Sequence, residues 1–317
     1  MTGYIARRLV ALVPVLFFVS VVTFAVTLLL PGDPALAYIG EANINDKVMY
    51  QAVRQQLGLD EPIPVQYARW VGRILHGDLG RSIRTREPAV DGLLARLPVT
   101  LELSIIAMAI SLVIAVPIGI LSAVRPNSKL DLAGTLVAMT GIAVPDFWLA
   151  ILLIYVMAVW LRVLPSSGYV PLDNGLVANL QSMLLPSLAL GMGLAAVVMR
   201  QLRSSLIEVM HQEYVLVARA KGLNGRVVLS RHALKNALIP VVTVIGLQTG
   251  RLLGGAVLIE TIFSLPGLGR LATDSILFRD YPMLEGAVFI LALAVALASL
   301  LTDITYAALD PRIRYGQ

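Results

Sequence analysis

The sequence predicts an all-α, polytopic membrane protein with six transmembrane helices and a small helical cap outside the membrane. Three observations predict it. The 317 residues are 57% hydrophobic and only 14% charged, against about a quarter charged in a soluble domain. The apolar residues gather into long blocks. Lys and Arg concentrate in alternate connections between those blocks. The net charge of +5 sits mostly at membrane edges, where it orients helices, so it does not point to nucleic acid. The chain has no cysteine, which excludes disulfides and thiolate metal sites.

The first block, Leu9–Leu30, is uncharged and follows Arg7-Arg8. It is longer than the about 7–15 residues of a secretory h-region, so it reads as a retained helix although Ala35-Leu36-Ala37 resembles a cleavage site. Residues 1–30 therefore form the cytosolic N-terminus and the first span. Residues 31–98 read as the helical cap. Asp46 suits the N-cap of a helix carrying Met49, Val53 and Leu57 and stopped by Gly58. Pro64 suits the start of a second, carrying Tyr67, Trp70, Val71 and Ile74 and stopped by Gly77. Residues 99–317 hold five further spans: Leu103–Val124, Leu132–Leu161, Met183–Met199, Leu238–Ile259 and Gly286–Thr302. The block Leu132–Leu161 would be about 45 Å long as one helix, against a membrane core of about 30 Å. Two halves would each be too short to span, so a single helix kinked near Pro145-Asp146 is expected.

Six spans place Arg7, Arg8, Arg125, Lys129, Arg200, Arg203, Arg219, Lys221, Arg226, Arg231, Lys235, Arg312 and Arg314 on the inner side. The outer connections after the third and fifth spans hold few basic residues. Both termini are therefore expected in the cytosol. No Gly-Lys dipeptide occurs, so no phosphate-binding loop of that class exists. His76, His211 and His232 have no metal-ligand spacing. The chain reads as a non-enzyme.

The basic connection 200–238 asks for a partner. Tyr214, Val217 or Ala218, and Lys221 recur at helical spacing. Ala218, Ala220 and Gly222 keep that stretch slim enough to seat in a groove. Gly222 and Asn224-Gly225 break the helix. An ordinary basic linker is the simpler reading. A DNA-reading helix-turn-helix is excluded by the membrane tethers at both ends.

The run ARAKGLNGRVVLSRHALKNALIPVV resembles the coupling loop of permease subunits of ABC importers, and most resembles the dipeptide, oligopeptide, glutathione and nickel group. Further motifs of that group follow in order: LPGDPA, RQQLGLDEPI, GDLGRSI, LLPSLALG, ETIFSLPGLGRL, RDYP and DPRIRYG. The general importer loop has Glu-Ala-Ala where this chain has Leu216-Val217-Ala218, a departure familiar in this group. The resemblance implies a type I importer permease fold in the bacterial inner membrane, moving small peptides or a related solute. It implies a second homologous permease, two ATPase subunits and a periplasmic substrate-binding protein as partners. ATP and Mg would bind the ATPase subunits and no cofactor this chain. It implies that Val217, Ala218, Ala220, Lys221 and Gly222 contact an ATPase subunit. An ion-gradient-driven transporter or a non-transporting membrane scaffold would leave the basic loop unexplained.

Three further sets stay open at this level. Gly246, Gly250 and Gly254 form a small-residue ridge, packing either within the chain or on the second permease. Asp146 and Arg251 lie near the centres of their spans and make either a structural pair or a polar wall of the pathway. Arg279-Asp280 reads as a rim contact or a solvated pair.

Overall fold

The computed structural model describes residues 2–29, 33–39 and 46–309. The first three residues of LPGDPA and the whole of DPRIRYG, with Arg312 and Arg314, lie outside the described residues. Regular structure here is helical, apart from one bridge between Arg81 and Pro88. Among the described residues five helices are long and apolar enough to cross a membrane, and a pair bent by 105°, Lys129–Ala143 with Asp146–Trp160, has the length and apolarity of a sixth, broken span or a re-entrant segment.

By contacts, the chain divides into two units. One is Arg8–Thr100 with Pro266–Ala296. The other contains Leu101–Leu265 with the chain from Leu297 onward.

The first unit holds α1 (Thr2–Leu29) for most of its length, α2 (Pro34–Ile39), α3 (Lys47–Leu57) and α4 (Ile63–Leu75). The cap helices start and stop where their sequence says. The Asp46 carboxylate accepts from the amides of Val48 and Met49, each at 3.0 Å. Gly58 closes α3 with a left-handed φ of 69°, a conformation open to glycine at little cost. Pro64 occupies the first turn of α4. Asp33 ties α2 to α3, accepting from Tyr50 Oη at 2.5 Å, Ala35 N at 2.8 Å and Arg54 Nη1 at 3.1 Å. Burial pushes its carboxyl up, but these bonds and the Arg54 charge outweigh that and hold it below the usual carboxylate range.

Phe24, Tyr67 and Trp70 then pack as an aromatic cluster, with Phe24 5.6 Å from Tyr67 and 5.7 Å from Trp70. Offset and edge-on contacts of this kind add to the area they bury. The same unit contains α12 (Leu268–Leu277) and the start of α13 (Tyr281–Leu309). Leu93, Leu268, Leu284 and Ala287 form its second core. Two motifs noted separately in the sequence meet there. Ser82 Oγ donates to the Asp280 carboxylate, and Ile83 N donates to Asp280 Oδ1 at 3.0 Å. Asp280 is thus buried at 5% exposure, which corrects its reading as a rim or solvated group. Arg279 alone faces solvent.

In the other unit α8 (Leu176–Met210) is the spine. It packs against α6 (Lys129–Ala143), α7 (Asp146–Leu153) and α11 (Leu234–Ile262). It also meets α5 (Ala89–Val124) closely, since a Cβ at Gly191 would lie 2.5 Å from the Ala107 carbonyl oxygen. The block expected as one kinked helix is two helices. α6 and the stretch Asp146–Trp160 meet at 105°. Val144 is extended at φ −80°, ψ 124°, because the Pro145 ring crowds the helical conformation of the residue before it. Proline also removes the amide that would continue the ladder. α5 is longer than its expected span, beginning at Ala89.

Candidate functional site

Past Met210 the backbone turns within two residues and enters α9 (Glu213–Ala220). Val215 and Ala218 face inward and pack on Val228, with Val209 and Met210 alongside. Leu216 and Val217 face outward at 52% and 53% exposure. Ala220, Lys221 and Gly222 are also exposed. The face expected from spacing is therefore split: Val217 stands on it, whereas Ala218 at 6% exposure is a packing residue. Tyr214 is tethered, its hydroxyl accepting from Asn236 Nδ2 at 2.7 Å.

The break falls where glycine and asparagine placed it. Gly222 has φ +80° and a Cβ there would meet nothing within 4 Å. The need for glycine is conformational and not a matter of room inside this chain. Asn224 caps the short α10 (Gly225–Val227), accepting from Arg226 N at 3.0 Å. The chain then passes through a π-helical turn, Val228–Ala233, into α11. The exposed apolar side chains Leu216, Val217 and Leu223 are flanked by exposed Arg219, Lys221 and Arg226. An apolar strip edged by cations suits a protein groove with an acidic rim.

Asp146 does not lie mid-helix. The break makes it the first residue of α7, where the amide ends and dipole favour a carboxylate. Asp146 and Arg251 line one cavity with Gln248, Leu190, Leu194 and Leu252. Among the described residues no ion pair joins the two charges.

The glycine ridge is divided. A Cβ at Gly246 would overlap the Thr302 side chain, whereas one at Gly254 would meet nothing within 4 Å. Gly246 is thus packed within the chain and Gly254 is open.

Three polar groupings went unread in the sequence. Arg203 donates through Nε to Asp131 Oδ1 at 2.5 Å and through Nη2 to Oδ2 at 2.8 Å. Asp131 is only 3% exposed, and this fork ties α8 to the start of α6. The Ser128-x-x-Asp131 pattern marks the start of α6, where Asp131 N donates to Ser128 Oγ at 3.2 Å, but not the Arg203 partner. Glu102 accepts from Tyr169 Oη at 2.8 Å and from Asn179 Nδ2 at 2.7 Å. Burial, and then the bond and charge of Glu102, push the Tyr169 hydroxyl up to about 12. In the first unit Thr27 Oγ1 donates to Glu285 Oε1 at 3.1 Å.

Comparison with known proteins agrees with this architecture. The family model for the binding-protein-dependent transport system inner membrane component matches residues 115–315, and the model for the N-terminal region of such components matches residues 1–104. A protein of Brucella abortus (strain 2308) named as a peptide transport system permease is 40% identical over 315 residues, covering 99% of this chain and 100% of the relative. The dipeptide transport system permease protein DppB of Escherichia coli (strain K12) is 38% identical over 338 residues, covering 99% of each. An inward-facing structure of the MetNI methionine ABC transporter matches with a TM-score of 0.58 at 18% identity, over 69% of this chain and 96% of that one. The fold is that of a type I importer permease. The chain belongs to the binding-protein-dependent transport system inner membrane component family: it is a multi-pass inner-membrane permease of an ABC importer, working with an ATPase and a binding protein, and it is not itself an enzyme.

Proposed function

We propose that this chain is one of two homologous permeases forming the pathway of a small-peptide importer, with two ATPase subunits beneath it and a periplasmic binding protein above. The peptide class is taken from the names of the relatives. Both termini face the cytosol, as the basic residues favour. The exposed strip on α9 and its break carries the reading. Val217, Ala220, Lys221 and Gly222 seat in a groove on one ATPase subunit, and Ala218 holds α9 against the Val228 side chain from within. Gly250 and the open Gly254 face the second permease, whereas Gly246 serves packing inside the chain. ATP-driven closure of the ATPases moves α9, and α8 carries that motion into the membrane. ATP and Mg belong to those ATPases and not to this chain.

Gly222→Trp tests the docking. The position has free space around it within this chain, so the variant should insert into the membrane. Transport by the reconstituted complex should fall at least tenfold, because the ATPases dissociate or hydrolyse ATP without transport. Gly222→Ala, which adds only the about 1–2 kcal/mol of a left-handed residue, should fall less. Normal transport by the tryptophan variant would remove the groove.

A further inference from the structure

Asp146 and Arg251 are opposite charges on one wall, near enough to feel each other but joined by no close ion pair among the described residues. The carboxylate is half-buried and accepts no hydrogen bond among the described residues, whereas Arg251 is exposed. The cavity they share measures about 10 Å³, room for about one water. A glycine keeps the carboxylate open to it. A Cβ at Gly193, which lines the cavity, would come to 3.2 Å from Asp146 Oδ1. Charges within a membrane protein are costly and are ordinarily matched by each other or by a ligand. Here each has the means to meet a further charge of the opposite sign.

We propose that Asp146 and Arg251 form a transit subsite for the two termini of a short zwitterionic peptide, the ammonium donating to Asp146 and the carboxylate accepting from the Arg251 guanidinium. This rests on the peptide reading above. Arg251 offers the planar fork that suits a carboxylate. Gln248 supplies a donor and an acceptor for the peptide amide between the termini. Leu190, Leu194 and Leu252 supply apolar wall and no side-chain hydrogen bonds, so the subsite reads termini and tolerates varied side chains. A cavity of this size holds no dipeptide, so the subsite requires α7, α8 and α11 to separate during transport.

The test uses the whole reconstituted importer in proteoliposomes, with radiolabelled Ala-Ala for uptake and Ala-photoleucine for contact. Asp146→Asn and Arg251→Gln should assemble at wild-type yield but import Ala-Ala at least tenfold more slowly, and the double variant should be no better than either. Asp173→Asn, in an exposed turn, should import normally. Under turnover, light should attach Ala-photoleucine to Leu190, Leu194 or Leu252 in the wild type, and Asp146→Asn should reduce that labelling at least fivefold. A fall in yield for each single variant that the double restores would make the pair structural and overturn the subsite. So would unchanged uptake, or labelling confined elsewhere. A wild type that imports neither dipeptide would sink the peptide reading itself, a result distinct from variants that import as well as the wild type.

Discussion

Asp131→Ala is expected to be among the most damaging single changes in the chain. It strands the Arg203 guanidinium, which has lost two charge-assisted bonds, and it frees the Asn127 amide that donates to Asp131 Oδ2 at 2.8 Å. Removing one side of a buried pair costs about 3–5 kcal/mol. The low end applies, because the Arg203 side chain retains 28% exposure. Thermal unfolding of the detergent-solubilised complex should show a lowered midpoint, and Asp131→Asn/Arg203→Met should recover part of it. A double-variant loss equal to the sum of the Asp131→Asn and Arg203→Met losses would show that the fork contributes no coupling energy. The consequence for function follows from position. The fork joins the lower part of α8, which leads directly into α9, to the helix that ends at the Pro145 break. Loosening it should disconnect the docking strip from Asp146.

Gly191→Ala should be nearly as harmful for a different reason. The new methyl would lie 2.5 Å from the Ala107 carbonyl oxygen. That atom is backbone in the middle of α5 and cannot swing aside as a side chain could. Overpacking costs about 1–3 kcal/mol, occasionally more. Gly254→Ala, with open space around it, should leave the isolated chain as stable as the wild type. A Gly191→Ala protein with wild-type yield and midpoint would contradict the close approach of α5 and α8.

Much of the fold was legible because its signals are local. Apolar blocks gave the spans, and Asp46, Gly58 and Pro64 fixed the cap helices through bonds reaching only a few residues. Gly222 and Asn224 marked the end of α9 by the same local chemistry. What was missed depends on contacts far apart in the chain. Arg203 and Asp131 are separated by 72 positions and Ser82 and Asp280 by 198, so no spacing could pair them. Pro145 was visible, but sequence does not give the angle at which two helices leave a proline. The arithmetic that each half is too short to span was sound for independent spans and silent about a sharp break between two packed helices. Helical spacing put Val217 and Ala218 on adjacent directions and could not say which would turn toward Val228. The glycine ridge announced close backbones without saying whose. Asp146 and Arg251 were found because charge in an apolar run is conspicuous in sequence, and their shared cavity needed the fold.

The central claim is that α9 docks on an ATPase from the cytosolic side. It is tested most directly by thiol crosslinking, because the chain has no cysteine of its own and an introduced thiol is therefore unique. Val217→Cys and Ala220→Cys, in the assembled importer, should crosslink through a short bifunctional reagent to an ATPase subunit and stay silent to an impermeant reagent added outside intact spheroplasts. Asn174→Cys, on the far side of α8, should label from outside and give no ATPase crosslink. Labelling of Val217→Cys from outside, or an ATPase crosslink from Asn174→Cys and none from α9, would contradict the account.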